Sequence, residues 1–535
     1  MKVDKLHIRS RFKNLENVKV DFDENHLMTV IVGRNGSGKS NVLEALVAIF
    51  RNLDLGEAPT FSYELDYQLG EEGGVKWYDV KVDADPDRGT LAKQYQVYVK
   101  DKHDSKADFK LTPFSKVKRD KKTKQAEFLP NFLFAYYSGP SDRLEKYFRK
   151  HRDDYYRNLL YNKLDLKADI RSLFYAKPYH SQFVLLAFFL SDENSPQRKF
   201  IKEHLGIEGL DSIHFVMRQP EWAKQKGELF WGAQGVVRRF LDELIQHTLS
   251  PIKVTRQEDT SLTGSYIRNE FFHLFLPDVN ALHEFAKDLS ADELFKMLES
   301  TLLSEIISEV SIRVKVSSSR EPLTFRELSE GEQQLLTVLG LLWFTGGKDS
   351  LFLLDEPDTH LNPSWAVKYL KFLREFVPNH ETSHLLMVTH HPLAIAELKK
   401  QQVQVMWRDD EYNVHSQEPY IDPRGAGFMA TLTEIFGLNT TLDLETQKLL
   451  DDRNELAHIE NRTEAQNNQL DLLNDELNRL GFSFENRDPL YSEFLLAWQD
   501  LKYSDKPPLT PDKAAQRRAA MKKVIEVLQA KKASE

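Results

Sequence analysis

MTVIVGRNGSGKSNVLEALVAIF, Met28 to Phe50, decides the fold. MTVIVG carries no charged side chain, as in a strand buried on both faces. NVLEALVAIF places apolar residues at helical spacing. Between them GRNGSGKS, Gly33 to Ser40, fits the GxxxxGK[ST] phosphate-binding pattern in the strand–turn–helix setting that gives it meaning. Glycine at Gly33, Gly36 and Gly38 lets backbone N–H groups turn inward around phosphate oxygens. A helix starting at Lys39 adds its positive dipole end. Lys39 is expected to reach the β- and γ-phosphates of ATP, and the Ser40 hydroxyl to ligate Mg²⁺. Asn35, Ser37 and Asn41 complete the candidate nucleotide contacts. A Gly/Ser/Asn-rich surface turn is the bland alternative, and two further strings make it negligible.

The first of these is LFLLDEP, Leu351 to Pro357, an apolar strand ending in two carboxylates. The strand would bring Asp355 beside the Mg²⁺ shell and leave Glu356 to polarise an attacking water as general base. Such a pair can also simply cap a helix, but the break at Pro357 and the following DTHLNP argue against it. The second is LSEGEQQ, Leu328 to Gln334, leading into the helical run EQQLLTVLGLLWF. It puts the Ser329 hydroxyl and the Gly331 N–H at a helix N-terminus, suited to a γ-phosphate. LSEG is equally a capping box with Ser329 as N-cap and Glu332 as its partner, and both readings can hold. Asp355 follows Ser329 by 26 residues. His390 ends the strand-like HLLMVTH and is read as a further γ-phosphate contact, with His391 a bystander.

Composition sets the frame. With 535 residues the chain should split into more than one domain. The net charge of −10 excludes a generally basic nucleic-acid coat, so such contacts need a local patch. KVKRDKKTK (Lys116 to Lys124) and RLEKYFRKHRDDYYR (Arg143 to Arg157) are the two candidate patches, although solvated loops and amphipathic helices look the same. Cysteine is absent, which excludes disulfides, thiolate zinc sites and cysteine nucleophiles, and suits a reducing cytoplasm. MKVDKLHIRSRF alternates like a strand and has no secretory core, so no leader is expected. FVLLAFFL and LLTVLGLLWF are too short to span a membrane and read as buried helices.

The expected fold is α/β, with a mixed sheet and an antiparallel β-subdomain. FSYELDYQL, VKWYDVKVDA and QYQVYV predict an antiparallel meander within a first lobe, 1–140. Residues 141–310 are mostly helical in pattern and form an insertion. A second lobe, 311–440, holds Ser329, Asp355 and His390. The tail, 441–535, is polar and helical. Its seam positions Leu449, Leu456, Leu470, Leu473, Leu477 and Leu480 are interrupted between Glu460 and Gln469, which favours a helical hairpin over a long coiled coil. No nuclease site is visible: no HNH-like His/Asn cluster occurs, the region after His390 is too short and helical for a Toprim domain, and Asp451 and Asp452 read as solvent-facing.

The order of the strings, the GKSN ending, LSEGEQQ and DEPDTHLNP resemble ABC-type P-loop ATPases, in the SMC/RecF/OLD branch more than among transporter subunits. The 289 positions from Ser40 to Ser329 point the same way. FAYYSGPSDRLEKYF (Phe134 to Phe148), PRGAGFMATLTEIFGLNTT (Pro423 to Thr441) and RDPLYSEFLLAW (Arg487 to Trp498) resemble the PtuA type more specifically. That resemblance implies an ATPase subunit of Septu or retron anti-phage systems, with ATP and Mg²⁺ as cofactors and Walker A, signature, Walker B and switch-histidine roles for the residues above. It implies a homodimer or higher even oligomer with ATP at the interface, and an associated HNH nuclease subunit. In retron versions a reverse transcriptase and its RNA–DNA product are further partners, and nucleic acid is met through the complex. Two departures stand out. Asn362 occupies a position where many family members carry Asp, and no Q-loop glutamine is evident, Ser138 and Asp142 both being open as substitutes. The competing reading is a RecF/SMC-like repair ATPase that clamps DNA directly; a third is a scaffold with a vestigial ATP site.

Overall fold

The computed structural model describes residues 1–120, 123–160, 171–223, 229–259, 266–347, 349–377, 379–438, 440–459 and 461–482. The chain divides into two compact units, Met1–Val30 with Ser40–Ala394, and Ile31–Lys39 with Ile395–Glu535.

In the first unit the predicted meander is a six-stranded antiparallel sheet. Its order is Val18–Asp21, Lys2–Ile8, Tyr63–Gly70, Trp77–Ala84, Tyr95–Asp101, Lys110–Thr112. Alternation drives it: Tyr63, Leu65, Tyr67 and Leu69 are buried on one face while Glu64 is exposed. A parallel set runs Ser383–Val388, Ser350–Asp355, Phe132–Tyr137, Leu173–Tyr175. Ser383–Val388 and Ser350–Asp355 are buried at every position, as strands covered on both faces must be. Register sets Asp355 opposite Val388 on one side and Tyr137 on the other. The segments that follow these three strands therefore emerge side by side at their carboxyl ends.

Both long apolar stretches are buried helices, His180–Leu190 and Glu330–Thr345. They touch where Gly340 has no side chain: a Cβ there would stand 2.0 Å from Val184 Cγ1. Among the described residues no helix is long and apolar enough to cross a membrane.

The insertion has the expected helices, including Glu145–Leu160, Gly235–Gln246 and Ala291–Leu303. It also carries strands that the helical reading did not contain: Ile207–Arg218, Ile252–Asp259 and Tyr266–Leu276, within a five-stranded antiparallel sheet completed by Ile307–Val316 and Leu323–Thr324. For Ile207–Arg218 the physical reason lies in its pairing with Ile307–Val316, whose register shifts at three places. Each bulge breaks the period of two, so the apolar pattern no longer reads as a strand.

A buried ionic cluster ties this region together. Arg171 Nη2 donates to Glu299 Oε1 at 2.7 Å, and His180 Nε2 lies 2.6 Å from Glu299 Oε2. Burial pushes the Glu299 carboxyl up, but His180 and Arg171 together outweigh it and hold it at about 2, below its ordinary 4.5.

The second unit contains the glycine loop, the antiparallel pair Val403–Arg408 and Val414–Gln417, and the helices Leu444–Ala457 and Glu464–Arg479. These last two are the helical hairpin expected from the interrupted seam. Arg453 Nε donates to Asn474 Oδ1 across them at 3.0 Å. The Arg462 guanidinium closes the first helix by donating to the carbonyls of Leu456, Ala457 and Ile459. Of the seam leucines, Leu477 is buried, Leu449, Leu456, Leu470 and Leu473 are half-buried, and Leu480 is exposed. RDPLYSEFLLAW lies outside the described residues.

Glu299→Gln leaves the buried Arg171 guanidinium without its counter-charge, and should destabilise the chain by roughly 3 kcal/mol at neutral pH. Because the folded carboxyl sits below its unfolded value, its stabilisation is full above about 4.5 and is lost as pH falls toward about 2. Chemical denaturation of both proteins across that window should show the gap closing with acid; a constant gap would remove the ionic contribution.

Candidate functional site

The glycine loop starts where its strand ends. Gly33 has φ of 143°, and a Cβ would lie 2.0 Å from the Met406 carbonyl oxygen, so no other residue fits. Gly36 and Gly38 also have left-handed φ, 78° and 97°. Lys39 is buried and curls back into its own loop, Nζ donating to the carbonyls of Gly33 at 2.8 Å and Arg34 at 2.9 Å. Asn35 is exposed at the loop tip. Ser37 is buried, and its Oγ has no hydrogen-bond partner among the described residues. A buried hydroxyl of this kind fits a loop shaped to take external phosphate oxygens. Arg34 Nη2 donates to the Gly437 carbonyl at 2.8 Å, fastening the loop to the PRGAGFMATLTEIFGLNTT segment. Sequence reasoning missed this anchor, because an arginine between two glycine-rich signals carries no pattern of its own.

Ser40, the residue after Lys39, donates its hydroxyl to Asp355 Oδ1 at 2.8 Å. Asp355 has no exposed surface. A hydroxyl and a carboxylate brought together this way are hard oxygen ligands of the kind Mg²⁺ takes alongside phosphates and water. Among the described residues no group of three or more His, Asp or Glu could hold a metal by itself. Asn41 is turned aside: its Nδ2 donates to Asn14 Oδ1, and its Oδ1 accepts from Arg143 Nη2, both at 2.5 Å.

The turn after Asp355 carries the candidate base. Glu356 has φ of 53°, and such left-handed backbone at a non-glycine residue costs about 1–3 kcal/mol where the surroundings impose it. Its N–H donates to the Val388 carbonyl at 2.9 Å. Its Oε1 lies 3.3 Å from His390 Nε2, with both side chains part-exposed. The candidate switch histidine and the candidate general base are thus in direct contact. Thr359 Oγ1 donates to the Glu356 carbonyl at 2.8 Å and meets Ser138 Oγ at 3.2 Å. The Ser138 N–H also donates to the Asp355 carbonyl at 3.2 Å. Of the two open substitutes for the Q-loop residue, Ser138 is therefore placed beside the carboxylates. Asp142 instead faces solvent and pairs with Arg149 at 2.7 Å.

Asp358, which sequence reasoning left without a role, is buried and accepts the Thr389 hydroxyl at 2.6 Å. Burial pushes its carboxyl up to about 6, against the opposing Thr389 bond and with a contribution from the Glu356 charge. Asn362 caps the helix Pro363–Phe376 by accepting the Trp365 N–H at 3.0 Å.

Ser329 is exposed and makes the predicted capping box. Its Oγ accepts the Glu332 N–H at 3.3 Å, while Glu332 Oε2 accepts the Ser329 N–H at 2.7 Å. Gly331 packs under the turn after Asp358, where a Cβ would sit 2.6 Å from the His360 carbonyl oxygen.

Several bases of the two basic candidates pair with carboxylates of the chain itself. Lys121 and Lys122 lie outside the described residues. Arg119 binds buried Asp54 at 2.5 Å. In the second segment Arg143 and Lys146 pair with buried Glu44, His151 with Asp54, Arg152 with Glu145 and Arg157 with Asp154.

A carboxyl pushed up to about 6 makes its ionised form a liability, growing as pH rises from the ordinary 3.8 and complete above about 6. Asp358→Asn should therefore raise the unfolding midpoint at pH 8, by an amount that shrinks as pH falls through about 6. Parallel melts at pH 8 and pH 4 test this; equal differences at both would contradict it.

The chain is similar to the Septu protein PtuA of Bacillus mycoides (strain KBAB4), 24% identical over 232 residues, which are 41% of this chain and 32% of that protein. The chain thus spans about a third of the length of the relative it matches. The SMC head domain from Thermotoga maritima aligns with TM-score 0.31 at 13% identity, covering 78% of this chain and 99% of that one. Stu0660 of Streptococcus thermophilus aligns with TM-score 0.27 at 12% identity, covering 92% and 99%. A family model described as AAA ATPase domain matches residues 1–395, about three quarters of the sequence, and the chain belongs to that family.

Proposed function

We propose that this chain is an ABC-type ATPase subunit that closes on ATP as a homodimer or higher even oligomer and regulates a separate HNH nuclease in an anti-phage defence complex. The observation that carries the reading is the Ser40–Asp355 hydrogen bond beside the Glu356–His390 contact, at the carboxyl ends of adjacent parallel strands. The likeness to a Septu protein supports the defence setting, and a reverse transcriptase with its RNA–DNA product fits a retron version of it. We assign 1–140 and 311–440 to the ATPase body, 141–310 to an insertion and 441–535 to a partner-binding tail. A cytoplasmic setting fits the absence of cysteine.

The chemistry follows from the side chains. Lys39 exchanges its two loop carbonyls for the β- and γ-phosphate oxygens, and Gly33 to Ser40 wrap their N–H groups around them. Magnesium, held by Ser40 and Asp355, supplies charge neutralisation across the phosphates. Glu356 takes the proton of the attacking water, and its strained backbone fixes where the carboxylate points. His390 orients Glu356 and meets the γ-phosphate. Ser329 and Gly331 serve a nucleotide bound by the neighbouring copy, from an exposed helix N-terminus. The DNA-clamp alternative has less support, because most bases of Arg143–Arg157 are engaged by carboxylates of the chain itself.

Lys39→Ala should weaken ATP binding by about 100-fold, given about 1.5–3 kcal/mol for each hydrogen bond to a charged group. Unchanged affinity would sink the loop assignment. Glu356→Gln should keep ATP affinity and slow hydrolysis by about 100-fold or more, the usual size of a general-base contribution; undiminished turnover removes Glu356 as base. For the partner, the tagged chain should retain an HNH protein encoded beside it and bind duplex DNA weakly alone. Tight, salt-sensitive, ATP-dependent DNA binding by the chain alone would favour the clamp.

A further inference from the structure

We infer that Asp358 and Thr389 form a positioning relay that holds His390 against Glu356 and so sets the rate of hydrolysis without touching the nucleotide. The inference rests on the ATPase reading for its consequence, and on geometry alone for the relay.

The relay begins with two turns that leave adjacent strands. One carries Glu356 and Asp358, the other Thr389, His390 and His391, and register places their strand ends side by side at Asp355 and Val388. Asp358 is 2% exposed, so its carboxylate has to find donors inside the protein. It finds the Thr389 hydroxyl at 2.6 Å. Thr389 is also fully buried, and its single Oγ1 does two jobs: it donates to Asp358 and accepts the His391 N–H at 2.8 Å. A hydroxyl that donates on one side has its lone pairs turned to the other, so the first bond orients the second.

The residue enclosed by that loop of bonds is His390. Its backbone lies between the hydroxyl of Thr389 and the amide of His391 that this hydroxyl holds. His391 is fixed further by its Nδ1, which accepts the Leu393 N–H at 3.3 Å. Position here matters steeply, because the His390–Glu356 contact joins two part-exposed side chains that could separate without a rigid base. The other half of the contact is braced independently by Thr359 and Ser138. Asp358 braces the histidine half.

This accounts for a buried carboxylate that lowers stability at the turn where the backbone is already strained.

The relay and its consequence are read separately on the full chain. Amide exchange by mass spectrometry reports the relay: Asp358→Ala leaves Thr389 in place, yet should speed exchange of the His391 amide by at least tenfold, with the Asp355 strand unaffected. Unaltered exchange overturns the relay. Steady-state ATP hydrolysis reports the consequence: Asp358→Ala and Thr389→Val should each lower kcat at least tenfold with KM within about twofold of the parent. The double variant should be no slower than the slower single, as expected for residues acting as one unit. Thr389→Ser should restore most of kcat. Thr389→Val keeps the side-chain shape and decides the matter if Asp358→Ala does not fold. Additive losses, a change confined to KM, or failure of serine to rescue each overturn the positioning role. A parent chain that hydrolyses no ATP refutes the proposed function instead, and leaves the exchange result to decide the relay.

Discussion

A carboxylate with no exposed surface must be answered by donors, and in this chain the Ser40 hydroxyl answers Asp355 across 315 positions of sequence. Much else follows from that demand. Asp355 can be buried only at the end of a strand, where its backbone is paired on both sides and its side chain projects past the sheet. The strand must therefore be buried throughout, as Ser350–Asp355 is. Its neighbours must end at the same level, which the register with Tyr137 and Val388 ensures. Once they do, the three segments that follow, bearing Ser138, Glu356 and His390, are neighbours by construction.

The same logic explains the acidic residues along the helix Lys39–Leu55. Glu44 has no exposed side chain and draws Lys13, Arg143 and Lys146 to it, with the Tyr147 hydroxyl at 3.0 Å. Asp54 near the far end draws Arg119 and His151. The helix that begins in the glycine loop is thus clasped along its length by the segment that follows Ser138. Both ends of the Ser138 loop are thereby fixed: one to the carboxylate turn through Thr359, the other to the loop helix through Arg143.

How much of this was legible in the sequence depends on the range of the interaction. Gly33 to Ser40, Leu328 to Gln334 and Leu351 to Pro357 could be read because each role is set by local geometry: a turn, a cap, a strand end. The meander was legible through the unbroken alternation of Tyr63 to Leu69, and the tail hairpin through its interrupted leucines. The strand Ile207–Arg218 in the insertion was not, since bulges in its pairing with Ile307–Val316 erase the alternation. Arg143 to Arg157 stayed open between two readings for a different reason. Basic residues facing nucleic acid and basic residues facing Glu44 have the same spacing, and only the fold reveals the buried carboxylate. Asp358 and Ser138 were obscure because their partners, Thr389 and Thr359, are unremarkable residues in sequence.

The turn after Asp355 combines two features that a chain arranged for stability alone would lack. Glu356 sits in left-handed backbone, and two residues on, Asp358 buries a carboxylate that favours its proton. Either could be relieved by one substitution, glycine at 356 or asparagine at 358. Strain and buried charge concentrated within three residues mark a place where geometry outranks stability. The surrounding structure can impose it because the strands on either side are buried at every position and cannot yield. The rigidity of those strands is what allows the turn to be strained, and the strain is what aims Glu356. On the proposed function, the buried strand in front of DEP thus helps to place the candidate base.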